Sequence, residues 1–405
     1  MPERTTVVNA VDWPSLLDAH GAASDVPAAL HAIWSDDADL RRRAYQFLVR
    51  RLVHQGSRFP ASAAAVPFLI DVVADVAAPD RFAAVQLLRM IAIGDERYWL
   101  TELPDPAVQR DEAARRARLS LSELEAEHAA WVAAADTEQE RRARETRGMF
   151  TDFEADRDAA QWDATAYDAV RTGVAVFVAA LDSADPAVRL HTTHLLAFFP
   201  EARDTVVPAL TRLVRSDADP VIASAAAVAT ALAGATAADS ELIDALEQRR
   251  AGATVAEQWA AALAVAWIVR RPQRAVLEQV YACLVEAVEP VLNWPFLDGD
   301  MSGLAALTVG RLDASVAPER VDVLAVRLRE TPPDADRGML VPAMLDAAFP
   351  DGGLPAGTTF ARLNGMQQTA VRAFAYARVW NDGPAVQTLL KHCGLPEDLP
   401  AWIRA

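Results

Sequence analysis

Apolar positions along this chain recur at helical spacing, in paired runs separated by short acidic or proline-bearing turns. Val66, Leu69, Ile70 and Val73 fall at i, i+3, i+4 and i+7, which puts them on one stripe of a helix. Leu87, Leu88 and Ile91 make the matching stripe on the helix that follows, and Leu195, Leu196 and Phe199 do the same further along. Four segments can be laid over one another in this way, starting at Val26, Val66, Val176 and Val207. In the last two, Asp185-Pro186 and Asp219-Pro220 lie 34 residues apart, a period found in helical-hairpin repeats. Each Asp-Pro step predicts an N-cap followed by proline at the first helical position, where its missing N–H costs nothing. Pro67 and Pro208 are expected in the first turns of the preceding helices on the same ground. No single helix of such a pair can bury its stripe alone, so the hairpins must stack.

Composition agrees with that pattern. Alanine occupies 85 of 405 positions, while 24 Pro and 17 Gly are spread as punctuation, the usage of a helix former. The turn and second helix around Asp185-Pro186-Ala187-Val188-Arg189, with the apolar helix before them, resemble the HEAT repeat. Poorer matches continue over 239–269, 272–312 and 318–349. The stretch His54-Gln55-Gly56, the pair Gly299-Asp300, and Trp380 with Gly394-Leu395-Pro396 resemble features of bacterial HEAT-repeat proteins. The resemblance implies an all-α superhelix, a HEAT-like solenoid of about six to eight helical hairpins whose second helices line a concave face; it implies no particular activity. The expected organisation is HEAT-like repeats over 1–100, a charged helical insertion over 101–165, further repeats over 166–350 and capping helices over 351–405.

The insertion stands out by charge. Residues 101–165 hold 9 Arg against 16 Asp plus Glu, and Ser120-Leu121-Ser122-Glu123 has the form of a capping box ahead of a run of alternating charges. An exposed helix or helical hairpin is expected, either as a solvated decoration or as an arm that binds a partner. Over the whole chain, 39 bases meet 56 acids for a net charge of -17, and all but one of the bases are Arg, the exception being Lys391. Such a balance repels a phosphate backbone and disfavours nucleic acid, whereas a basic protein partner is favoured. The two cysteines, Cys283 and Cys393, have no metal-ligand spacing and suit a reducing compartment. The N-terminal stretch lacks the apolar core of a signal peptide, and no run is apolar enough to span a bilayer, so a cytoplasmic protein without a membrane partner is expected.

Candidate chemistry is sparse. His191 and His194 stand three apart on one helix and could face one ion, but no third ligand is fixed nearby by spacing, so neither metal nor cofactor is expected. The deoxyhypusine hydroxylases share this repeat architecture and hold iron through His-Glu dipeptides, of which this chain has none. HEAT-like DNA glycosylases need a cationic groove, and phycobilin lyases of this repeat type have no compact signature to search for. No P-loop, GxGxxG, GxSxG or HExxH is present. Asp36-Asp37, and Asp298 with Asp300, fall in turns, where Asp commonly caps a following helix. Trp259, Leu263 and Trp267, four apart among alanines, read as a buried stripe.

The residues left as candidate partner contacts are His54, Gln55, Tyr98, Trp99, His191, His194, Trp294, Asp298 and Asp300. The function expected is a protein-interaction scaffold whose acidic concave surface binds a basic partner, an immunity protein for a basic toxin being one concrete form. The alternative is a small-molecule or tailoring enzyme, lyase-like, on a HEAT scaffold with His54, His191 and His194 as polar centres.

Overall fold

The computed structural model describes residues 8–135, 138–287, 289–332, 335–355 and 357–405. Residues 1–7, on which part of the leader reading rests, lie outside the described residues, as do 136–137 of the insertion and 333–334 of the last repeat match. The fold is all-α: among the described residues there are 22 α-helices, and the only strands form two short hairpins. Two compact units divide the chain, Met1–Ala202 and Arg203–Ala405.

In the first unit a short hairpin of β1 (Leu17–Asp18) and β2 (Gly21–Ala22) precedes α1 (Val26–Ala32) and α2 (Ala38–Leu52). A second hairpin, β3 (Val53–His54) with β4 (Ser57–Arg58), leads into α3 (Pro60–Ala74) and α4 (Arg81–Ile93). Then come α5 (Glu96–Glu102), α6 (Pro106–Arg116), α7 (Leu121–Ala133), α8 (Glu138–Met149), α9 (Phe153–Arg171), α10 (Val174–Ala180) and α11 (Pro186–Leu196). The pairs α1–α2, α3–α4 and α10–α11 form stacked hairpins: α10 packs on α3, and α11 on α4. The stripe residues Val66, Leu69, Val73, Leu87, Leu88 and Ile91 are buried between them.

Helix α9 runs unbroken through position 165, where the sequence reading ended the insertion, and it lies across both α3 and α4 with α6 on its outer side. Its stripe of Ala166, Tyr167 and Val170 is buried, so its second half belongs to the packed array. The expected helical hairpin is α7–α8. The Ser120–Glu123 capping box opens α7, and Arg144 and Arg147 of α8 lie over the Trp131 ring.

The second unit contains α12 (Arg203–Ser216), α13 (Pro220–Leu232), α14 (Ser240–Arg249), α15 (Val255–Val269), α16 (Arg274–Glu286), α17 (Met301–Gly310), α18 (Arg320–Glu330), α19 (Leu340–Ala348), α20 (Gly365–Ala377), α21 (Pro384–His392) and α22 (Leu399–Arg404). Two layers are evident. Helices α13, α15, α17 and α19 pack in succession, and on their outer side α12 packs on α14, α16 on α18 and α18 on α20. The inner row is lined by small residues: Ala223, Ala225, Ala226, Ala260, Ala261, Ala305 and Ala306 are fully buried, and Gly310 lies so close to Ala343 that a Cβ there would meet the Ala343 carbonyl oxygen at 2.6 Å. Short side chains let these backbones approach, which is what the alanine content serves. Leu263 of the aromatic stripe is buried, whereas Trp259 and Trp267 are half-buried and Arg311 covers the Trp267 ring at 4.9 Å.

Asp185 and Asp219 cap their helices as their spacing predicts: each carboxylate accepts from the N–H two residues on, at 2.9 Å. Pro67 and Pro208 do not sit in first turns. Both are interior, because α3 already starts at Pro60 through a run of helix-forming alanines and α12 at Arg203. Each proline is exposed, so the carbonyl whose partner it removes faces outward, where the loss is tolerated. No helix among the described residues is long and apolar enough to cross a membrane.

Candidate functional site

A cleft of about 720 Å³ opens in the first unit, walled by the β3–β4 hairpin, the end of α4 with α5, and the facing sides of α6 and α9. The hairpin begins where α2 ends. Val53 pairs with Arg58 and His54 with Ser57, and the two turn residues Gln55 (φ 51) and Gly56 (φ 83) are both left-handed, the backbone a two-residue hairpin of this twist requires. The turn rests on Gly94 and Asp95. Gly94 has φ +66, and a Cβ there would lie 2.0 Å from Arg58 Nη1 and 2.2 Å from the Gly56 carbonyl oxygen, so the contact admits only glycine.

Arg58 is the pivot of the hairpin. Its Nη1 donates to the Gly56 carbonyl at 2.6 Å and its Nε lies 3.0 Å from Asp163 Oδ1 on α9. The guanidinium is 11% exposed, and burial lowers its pKa despite Asp163. Asp163 keeps 40% of its side chain exposed and lines the cleft, yet the protein around it pushes its carboxyl above the usual range, with Arg58 pulling it back.

Helix α5 supplies the second wall. Asp95 caps it by accepting from the Arg97 N–H at 2.9 Å, and Glu96 anchors it to the array through His194 Nε2 at 2.8 Å and Arg89 Nη1 at 3.3 Å. Trp99 is buried, stacked on Tyr167 at 5.6 Å between centroids and edge-on to Phe198, while Tyr98 is 55% exposed on the cleft side. Tyr167 donates its hydroxyl to the Phe198 carbonyl at 3.1 Å, and burial raises its pKa. Across from α5, Arg110 of α6 is held by Asp168 at 2.9 Å and Glu201 at 2.8 Å. Arg115 of the same helix pairs with Glu112 and Glu127 and holds both carboxyls below their usual range, with the charge of Arg116 adding to it.

Three of the expected contact residues, Gln55, Tyr98 and Trp99, therefore meet in this cleft, Trp99 mainly as packing. His54 lies beside them on the hairpin, exposed, with its ring 6.0 Å from that of His20. His191 and His194 pack between α4 and α11. His194 is committed to Glu96, and His191 is bonded to Gln86 at 3.1 Å and stacked on Phe82. Burial, and then the neighbours His194 and Arg89, lower the pKa of His191 to about 4. Among the described residues no group of three or more His, Cys, Asp or Glu side chains is placed to hold a metal ion.

Trp294, Asp298 and Asp300 belong to the second unit and shape the turn before α17. Trp294 is buried against Phe296. Asp298 is exposed at φ 54, and Asp300 caps α17 by accepting from the Gly303 N–H at 2.7 Å.

The sequence reading missed Arg58, Asp95, Arg110 and Asp163, all of which line the cleft. For Asp163 a signal existed: with Ala166, Tyr167 and Val170 it falls at i, i+3, i+4 and i+7, an acid heading an apolar stripe, which marks a carboxylate drawn into the packed face. Comparison of the sequence with models of known protein families and with curated proteins returns no match.

Proposed function

We propose that the chain is a helical-repeat interaction protein of HEAT-like type that binds a basic protein partner, with the first-unit cleft as its recognition centre. The observation that carries this reading is the coincidence of the cleft with the acidic half of the chain. Residues 1–202 hold 21 Arg against 32 Asp plus Glu, a net of -11, and the second half accounts for the remaining -6. The cleft is a prepared concavity in an otherwise alanine- and leucine-packed stack, with a glycine-locked turn on one side and an ion pair on its floor. Keeping the Arg58 charge nearly buried is costly compared with packing hydrocarbon, so its retention at a concave surface, paired with a half-open Asp163, points to recognition. An immunity protein held against a basic toxin is one form such a partner would give.

The test is fluorescence anisotropy with a labelled nona-arginine peptide and a labelled nona-glutamate peptide. The arginine peptide should bind and weaken by about tenfold or more when salt rises from about 0.1 to 1 M, as the screening length contracts from about 10 to 3 Å. Equal affinity for both peptides, or binding insensitive to salt, would contradict the reading.

A further inference from the structure

The charges around the cleft are unevenly matched. Two of the three arginines that line it are already answered by acid, Arg58 by Asp163 and Arg110 by both Asp168 and Glu201, while the acids nearest Arg116, Glu112 and Glu127, are paired with Arg115. Asp95 also lines the cleft, and its side chain bonds the Arg97 N–H, but among the described residues no arginine or lysine forms an ion pair with it. Tyr98 stands three residues after Asp95, so carboxylate and phenol ring share one face of α5, and that ring is 55% exposed. Asp163, on the opposite wall, has one oxygen against Arg58 and 40% of its side chain open. Two carboxylates on different walls beside an exposed aromatic face is an arrangement that accepts a cation.

We propose that the cleft is an arginine subsite: Asp95 and Asp163 accept the guanidinium of an arginine presented by the partner, and the ring of Tyr98 lies against its flat face. This rests on the reading that the partner is basic, and it names the group recognised. Arginine fits better than lysine because its planar fork donates along several directions at once, stacks on an aromatic ring and sheds water more readily than an ammonium. Arg58 is itself held in the hairpin, its Nη1 donating to the Gly56 carbonyl and its Nε 3.0 Å from one Asp163 oxygen. Gln55, fixed in a left-handed conformation at the rim, offers an amide to the backbone of the incoming segment.

The experiment titrates N-acetyl-L-arginine amide into the full chain by isothermal calorimetry and by NMR of the indole N–H groups, with N-acetyl-L-citrulline amide as the uncharged isostere. Asp95→Asn keeps the helix cap while removing the charge, Tyr98→Ala removes an exposed ring, and Tyr98→Phe keeps the stacking face. The arginine amide should bind and the citrulline amide should not. Asp95→Asn and Tyr98→Ala should each weaken binding by about tenfold, the loss expected for a charged hydrogen bond or a cation–aromatic contact, and Tyr98→Phe should bind as the native chain does. Equal binding of the two amides, or undiminished binding by both Asp95→Asn and Tyr98→Ala, would overturn the subsite. The nona-arginine peptide separates the two claims. If it binds the native chain and both variants alike, the basic-partner reading stands and the subsite falls. If it fails to bind while the single arginine amide binds and is lost in Asp95→Asn, the subsite stands without that reading.

Discussion

Replacing Gly94 by alanine should collapse the cleft from its tightest point. The backbone there has φ +66 and ψ -104, and forcing an L side chain into that region costs about 1–2 kcal/mol. The new methyl would fall 2.0 Å from Arg58 Nη1 and 2.2 Å from the Gly56 carbonyl, each more than an ångström inside contact, so the hairpin must move away. Movement breaks the bond from Arg58 to Gly56, a charged hydrogen bond worth about 1.5–3 kcal/mol. The sum is about 2.5–5 kcal/mol, which for a unit of some 200 residues corresponds to a fall of roughly 10 °C in its melting temperature. Gly21→Ala is the control: its φ is +121, but nothing lies within 4 Å of the added carbon, so only the conformational penalty applies, about 1–2 kcal/mol. Scanning calorimetry of both variants decides the matter. If Gly94→Ala melts no lower than Gly21→Ala, the hairpin is not wedged against α4 and α5 in the manner described.

Other consequences can be checked directly. Asp163→Asn leaves the buried Arg58 without its acid and should destabilise by about 2 kcal/mol, whereas the paired change Arg58→Met with Asp163→Leu should recover most of that loss in urea denaturation. His191 has its folded pKa lowered to about 4 from an unfolded value near 6.5, so the stability it lends as a neutral ring is complete above about pH 6.5 and is lost as pH falls towards 4. Melting of His191→Phe should therefore fall less steeply over that window than melting of the native chain. Cys283 is buried and its thiol is pushed well up, while Cys393 is half-exposed with its thiol raised to about 11, so Ellman's reagent should titrate at most one thiol in the folded protein, faster as pH rises, and both after unfolding.

Hairpin architecture was readable because each stripe carries its own period and each Asp-Pro step its own cap, both local properties. Asp185, Asp219 and Ser120 do what their spacing implies. Pro67 misled because proline is permissive of two places in a helix, the first turn and an exposed interior face, and only packing chooses between them. The cleft was half legible. Gln55, Tyr98 and Trp99 were marked by residue type, but Asp163 and Arg110, which line the same cleft, lie in a charged stretch whose composition suggests a solvated helix. What draws them in is the contact of α9 with α3 and α4, a long-range fact with no sequence period beyond the single stripe through Tyr167. His191 and His194 show the converse: a spacing that suits a metal ion is used instead for two separate hydrogen bonds, to Gln86 and to Glu96.

Amide hydrogen exchange, read by mass spectrometry with and without a saturating basic peptide, addresses the central claim most directly, because it reports where on the chain the partner sits. Binding at the cleft predicts slowed exchange confined to the hairpin at 53–58, to 94–100 on α5 and to 160–167 on α9. Protection lying wholly in the second unit, or spread evenly over the chain with these segments unchanged, would contradict the account.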